Sequence, residues 1–166
     1  MIYAMTFLVS LDDEQELEEW DCSTCKGYEA PTPFDAVKAH WGHCWLDDPG
    51  TDRERFVAWL NGDDYYSQYE FHVIGLDGSH WIVSFEVVPV GVTEAPVDGS
   101  RHDVWRRVIW GERNVQTVPA STEHAAAYPA RWVFVTEEMA AAEKAADPDI
   151  MDSAGWWIHD FEEATK

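Results

Sequence analysis

The chain has 166 residues, and its 32 acidic against 11 basic side chains give a formal net charge of −21 at pH 7. That balance repels phosphate backbones and excludes DNA or RNA binding through any broad surface. Hydrophobic residues make up 46% and aromatic ones 14%, with ten tryptophans, so one folded domain with a sizeable core is expected in place of a disordered chain.

Residues 2–9, IYAMTFLV, are rich in β-branched and aromatic side chains and predict a strand. No basic n-region precedes this short apolar run, and no apolar run in the chain reaches the roughly 20 residues of a membrane helix. The expectation is a cytoplasmic protein with reduced thiols and no membrane contact. The acidic stretch LDDEQELEEWD follows, read as a solvated loop or short helix.

Residues 20–45, WDCSTCKGYEAPTPFDAVKAHWGHCW, hold all three cysteines and two of the seven histidines. Cys22 and Cys25 stand two residues apart, a spacing that points both sulfurs at one ion. His40 and Cys44 lie one helical turn apart on one face, with His43 as the alternative fourth ligand. These four side chains suit a closed, tetrahedral Zn2+ site, which is structural in type because no position is left for a reacting water. The opposite reading makes the cysteines small buried hydrophobes.

The segment resembles the ββα zinc-finger family in its CCHC variant, over these residues only. Phe34 and Val37 stand where that family packs its miniature core, and Asp35 stands near the helix start. The resemblance implies a small zinc-stapled module embedded in a single domain covering residues 1–166. Two departures, a spacer longer than the usual ~12 residues and EAPTP interrupting the second strand, make a looser, zinc-ribbon-like clip the alternative form. The helix carries Lys38 as its lone basic residue beside Asp35 and Trp41, so it is read as a staple or protein-contact surface and not as a DNA reader.

Further along, TDRERFVAWLNG predicts a helix, with Thr51 and Glu54 as a capping box and Phe56, Val57 and Leu60 as its apolar stripe. YEFHVIGLDGSHWIVSFEVVPV predicts a hairpin closed by a tight primed turn at Asp77-Gly78. Trp81, Val83, Phe85 and Val87 form its buried face. His72 and His80, one on each arm, are read as outward-facing residues of a half-exposed sheet, with a cross-strand, pH-sensitive or metal-binding pair as the alternative. VTEAPVDGSRHD reads as a loop. VWRRVIW is open to strand or helix and is read as strand for its Val, Ile and Trp; RNVQTV and RWVFV read as two further strands, TEEMAAAEKAAD as a helix, and DSAGWWIHDFEEATK as a terminal helix. The sum is an α+β fold with an antiparallel sheet and flanking helices.

Arg101, Arg106, Arg107 and Arg113 form the one basic concentration, interleaved with Trp105 and Trp110. They pair with the protein's own carboxylates or, with Trp41, make a partner-contact patch. No nucleophile elbow, phosphate loop or zinc-protease motif is present. The leading functional expectation is a non-enzymatic, zinc-binding interaction protein. Its acidic face would occupy a basic, nucleic-acid-handling partner in the manner of small phage or mobile-element inhibitors. The alternatives are an accessory protein whose acidity serves solubility or salt adaptation, and an enzyme with a site built from scattered His and Asp.

Overall fold

The structure is a computed structural model and describes residues 1–10, 24–41, 53–92, 108–148 and 153–159. Within them the chain runs β1 (Ile2–Ser10), β2 (Thr24–Lys26), β3 (Tyr28–Glu29), α1 (Pro33–Trp41) and α2 (Arg53–Leu60). It continues through β4 (Ser67–Gly75), β5 (His80–Val92), β6 (Val108–Pro119), α3 (Thr122–Ala127), β7 (Arg131–Val135), α4 (Glu137–Ala146) and β8 (Gly155–His159). This is the expected α+β class. Every strand pairing is antiparallel, in one sheet ordered β3-β1-β4-β5-β6 and a second ordered β2-β8-β7.

Alternation along the strands separates two faces of the larger sheet. Tyr3, Met5, Phe71, Val73, Val83, Phe85 and Val87 point to one side, where Phe34, Ala36 and Val37 of α1 pack against them. Helix α1 starts where its residues require it. Pro33 takes the first helical position and the Thr32 hydroxyl accepts from the Asp35 amide at 3.1 Å. Ala4 and Ile74 point to the other side and meet Ile158 of β8, Tyr128, Ala130 and Trp132. The outer face of the smaller sheet packs Val135 and Trp157 against Ala140 of α4. The layers are thus α1, five strands, three strands and α4. Trp132 Nε1 donates to the Gly75 carbonyl at 3.2 Å and links the two sheets.

Gly27 lies where these sheets converge. A Cβ there would stand 2.6 Å from Ile2 and 2.8 Å from Trp132, so the close approach requires glycine.

Several expectations are corrected. The 155–159 segment, expected as helix, is strand β8: Ile158 faces the larger sheet and Trp157 faces α4, burial on two sides that a period-two strand provides. Val108–Trp110 of VWRRVIW and the whole of RNVQTV, expected in two strands, lie in one, β6. The hairpin turn is not a two-residue primed turn. Gly75 and Ser79 pair, the Gly78 amide donates to the Gly75 carbonyl at 2.9 Å, and Gly78 adopts φ +84°. That is a three-residue loop ending in a left-handed glycine. The stripe on α2 is exposed at Val57 and Leu60, and Trp59 instead packs with Tyr65, Val108 and Trp110. The acidic stretch, Thr51 of the capping box and the loop after β5 lie outside the described residues.

Candidate functional site

The face of the larger sheet that carries Ile74 also carries a cluster of imidazoles. In the β4–β5 register His72 stands opposite Ile82 and His80 opposite Ile74, so the two histidines are diagonal neighbours on one face. His72 Nε2 and His80 Nδ1 lie 2.9 Å apart, a hydrogen bond in which one ring donates and the other accepts. The residues from Pro119 to β7 cross this face. Ser121 caps α3, its hydroxyl accepting from the His124 amide at 3.1 Å, which sets His124 over the sheet with Tyr128 one turn later. The ring centroids of His124 and Tyr128 lie 4.6 Å and 5.4 Å from that of His72, both edge-on. His72 is 0% exposed, which corrects the outward-facing expectation: the face was read as half-exposed, but the α3 connection covers it.

Burial, then the proximity of His124 and His80, lowers the His72 pKa from the ordinary 6.5 to about 3. Burial followed by the charge of His124 also lowers that of His80. His124 Nε2 is buried and has no hydrogen-bond partner among the described residues. Sequence reasoning missed His124. Its signal was the Ser121 cap three residues ahead and Pro129 after Tyr128, a short helix that brings a histidine to an unknown place. Among the described residues, no group of three potential ligands is arranged to hold a metal ion.

The same sheet face turns polar along β5. The β5–β6 register places Ser84 opposite Gln116 and Glu86 opposite Arg113, so β6 carries one extra residue, and Asn114 in between adopts φ +54°. The bulge moves Arg113 onto the face of Glu86 and sends Glu112 to the α1 face, where Lys38 stands 3.8 Å away. Arg113 Nε donates to Glu86 at 2.5 Å and its Nη2 to Asp64 at 3.1 Å. These contacts hold both carboxyls below their usual range and raise the guanidinium pKa. Arg113 therefore pairs with the protein's own carboxylates.

Of the expected zinc ligands, Cys22, His43 and Cys44 lie outside the described residues. Cys25 sits on β2 opposite Ile158. His40 sits in the last turn of α1, partly buried, with Nδ1 2.8 Å from the Tyr28 hydroxyl; burial lowers its pKa. The strands flanking Gly27 do not pair with each other, since β2 joins β8 and β3 joins β1. Phe34 and Val37, expected as a finger's own core, belong to the main core. Of the expected contact residues, Trp105, Arg106 and Arg107 lie outside the described residues, and Trp41 is described as the last residue of α1. Trp110 is partly buried, its ring 5.9 Å from that of Tyr65.

Comparison with family models, with curated proteins and with solved structures finds no match, so the functional reading rests on this chain's own charge and geometry. No helix among the described residues is long and apolar enough to cross a membrane.

Proposed function

We propose that this is a non-enzymatic interaction protein that binds a basic protein partner, with a zinc staple through Cys22, Cys25, His40 and Cys44, or His43 in place of Cys44. The observation that carries the reading is the charge of −21. It attracts a basic surface over a Debye length, about 8 Å at physiological ionic strength, and speeds encounter. Affinity needs apolar anchors as well, and the outer strand β6 supplies candidates. Asn114 to Pro119 are exposed without a break, and Ile109, Val115 and Val118 are between 41% and 50% exposed. Strand β6 ends the five-strand order, and an edge strand is a template on which a partner can add its own strand. If the partner handles nucleic acid, the acidic chain takes the place of the phosphate backbone and competes with DNA.

The zinc part is supported by ligand spacing and by His40, whose Nδ1 is oriented by Tyr28. A histidine held in this way coordinates through its other nitrogen.

The test is affinity capture with the full chain, followed by association kinetics against the captured partner at rising salt. A basic partner is expected, with an association rate that falls steeply between 50 and about 500 mM salt and with loss of DNA access for that partner. A neutral or acidic partner, or binding indifferent to salt, would reduce the charge to a means of staying dissolved.

A further inference from the structure

We propose that the His72–His80–His124 cluster is a proton-operated latch, closed when the His72–His80 pair is neutral, that holds the connection at residues 120–130 down on the larger sheet and releases it on acidification. Three histidines in ring contact across two strands and a helix are not needed to fill this space, which apolar side chains would fill with no polar atoms to satisfy. Burial disfavours a charge on His72, and the His72–His80 bond cannot survive protonation of both its rings. One proton serves the His72 Nε2 to His80 Nδ1 bond, and a second proton on that axis sets two donors face to face at 2.9 Å. His124 meets His72 edge-on at 4.6 Å, and its charge acts on both His72 and His80.

Among the described residues, His72 on β4 is surrounded by β1, β5, α3 and the chain leading into β7. Their titratable or charged groups are His80 and Glu86 on β5, Glu70 on β4, His124 and Glu123 on α3, Tyr128 after it, and Arg131 on β7. Thr6 stands opposite His72 on β1. Glu86 is engaged by Arg113 and Asn114 further along the sheet, and Glu123 is exposed. The charges of His124 and His80 oppose the protonation of His72.

The sign follows. In the closed state the His72 pKa is lowered, whereas in an opened state it returns to about 6.5. Closure is therefore fully favoured above pH 6.5 and is lost as pH falls below it, by about tenfold per pH unit for each such histidine. The segment that moves is the one held least by other means: α3 is six residues long and has no buried residue. Opening uncovers His72 and the neighbouring apolar floor of Ala4 and Ile74, a surface present only in acid.

Hydrogen exchange of the full chain at pH 7.5 and pH 5.0, corrected for the intrinsic pH dependence of exchange, tests this. Protection across residues 120–130 is expected to fall by about thirtyfold at pH 5.0, the protonated-to-neutral ratio at that distance below 6.5. The strand amides of Phe71 and Val83 should keep theirs. His72→Gln, which keeps a polar atom near the Nε2 position but does not titrate, should abolish the step, and His124→Gln should reduce it. Should either variant fail to fold, NMR titration of the wild-type imidazoles decides. A His72 ring that stays neutral to pH 5 in the closed form supports the latch, and one that titrates near 6.5 with no loss of protection overturns it. Protection at 120–130 that is independent of pH, or an acid step undiminished in His72→Gln, would likewise sink the proposal.

Discussion

Single residues set the geometry of this molecule where the backbone must do something unusual. Gly78 closes the β4–β5 hairpin at φ +84°, with nothing within 4 Å of where a Cβ would be. The cost of Gly78→Ala is thus purely conformational, about 1–2 kcal/mol for an L-residue held in the left-handed region. Urea unfolding should show that loss as a lower midpoint with an unchanged slope. An unchanged midpoint would mean the turn relaxes to another type. The residue that makes the turn was legible in the sequence, since Asp-Gly between alternating apolar runs is a strong hairpin signal. The loop length was not, because two- and three-residue loops both place glycine there. Asn114 does comparable work on β6. A short polar side chain tolerates φ +54° and lets one extra residue exchange the faces of Glu112 and Arg113.

At the scale of elements, periodicity predicted β1, β4, β5, β7 and α4 close to their observed bounds, because each has a clear face to bury. It misread β8. In GWWIHDFEE, Trp157 and Phe161 stand four apart, which suits a helix, while adjacent Trp157 and Ile158 suit a strand buried on both sides. The choice was made by what covers each face: α4 over Trp157 and the larger sheet over Ile158, which is 0% exposed. Ile158→Ala should therefore destabilise the protein by about 2–5 kcal/mol, as for a deeply packed aliphatic. A change within about 0.5 kcal/mol, the value of a surface site, would argue against a core strand here. Thermal and denaturant unfolding measure it directly. The short strands β2 and β3 had no periodicity to read, being three and two residues long.

For the whole molecule, the position of residues 24–41 changes what a zinc staple would do. Read in isolation, a finger is peripheral, and losing its metal would loosen that segment first. Here β2 pairs into the smaller sheet, β3 pairs into the larger one, and α1 covers the main core. The Gly27 amide donates to the Trp156 carbonyl at 2.8 Å, at the same junction. Purified protein is expected to carry about one zinc per chain. Chelation should lower the melting temperature of the whole fold in a single transition, since binding energy for such a site is folding energy. No zinc by elemental analysis, or a melting curve indifferent to chelator, would remove the staple. The large negative charge is a property of the whole chain too, and acts on encounter with partners and not on the choice of fold.

By itself, the sequence determined the α+β class, the strong acidity and the inward face of the central hairpin, because each is set by local pattern or by simple counting. A period of two states which residues share a face; it does not state what covers that face. Only the tertiary structure decided that the face bearing His72, His80 and Ile74 is roofed by the α3 connection. It thereby joined two histidines read as outward-facing, one of them now fully buried, to a third, His124, from more than forty residues further along the chain. The same is true of β8 and of the β2–β3 junction, whose partners lie far away in sequence. Contacts of that kind depend on how layers stack, and no window of neighbouring residues contains them.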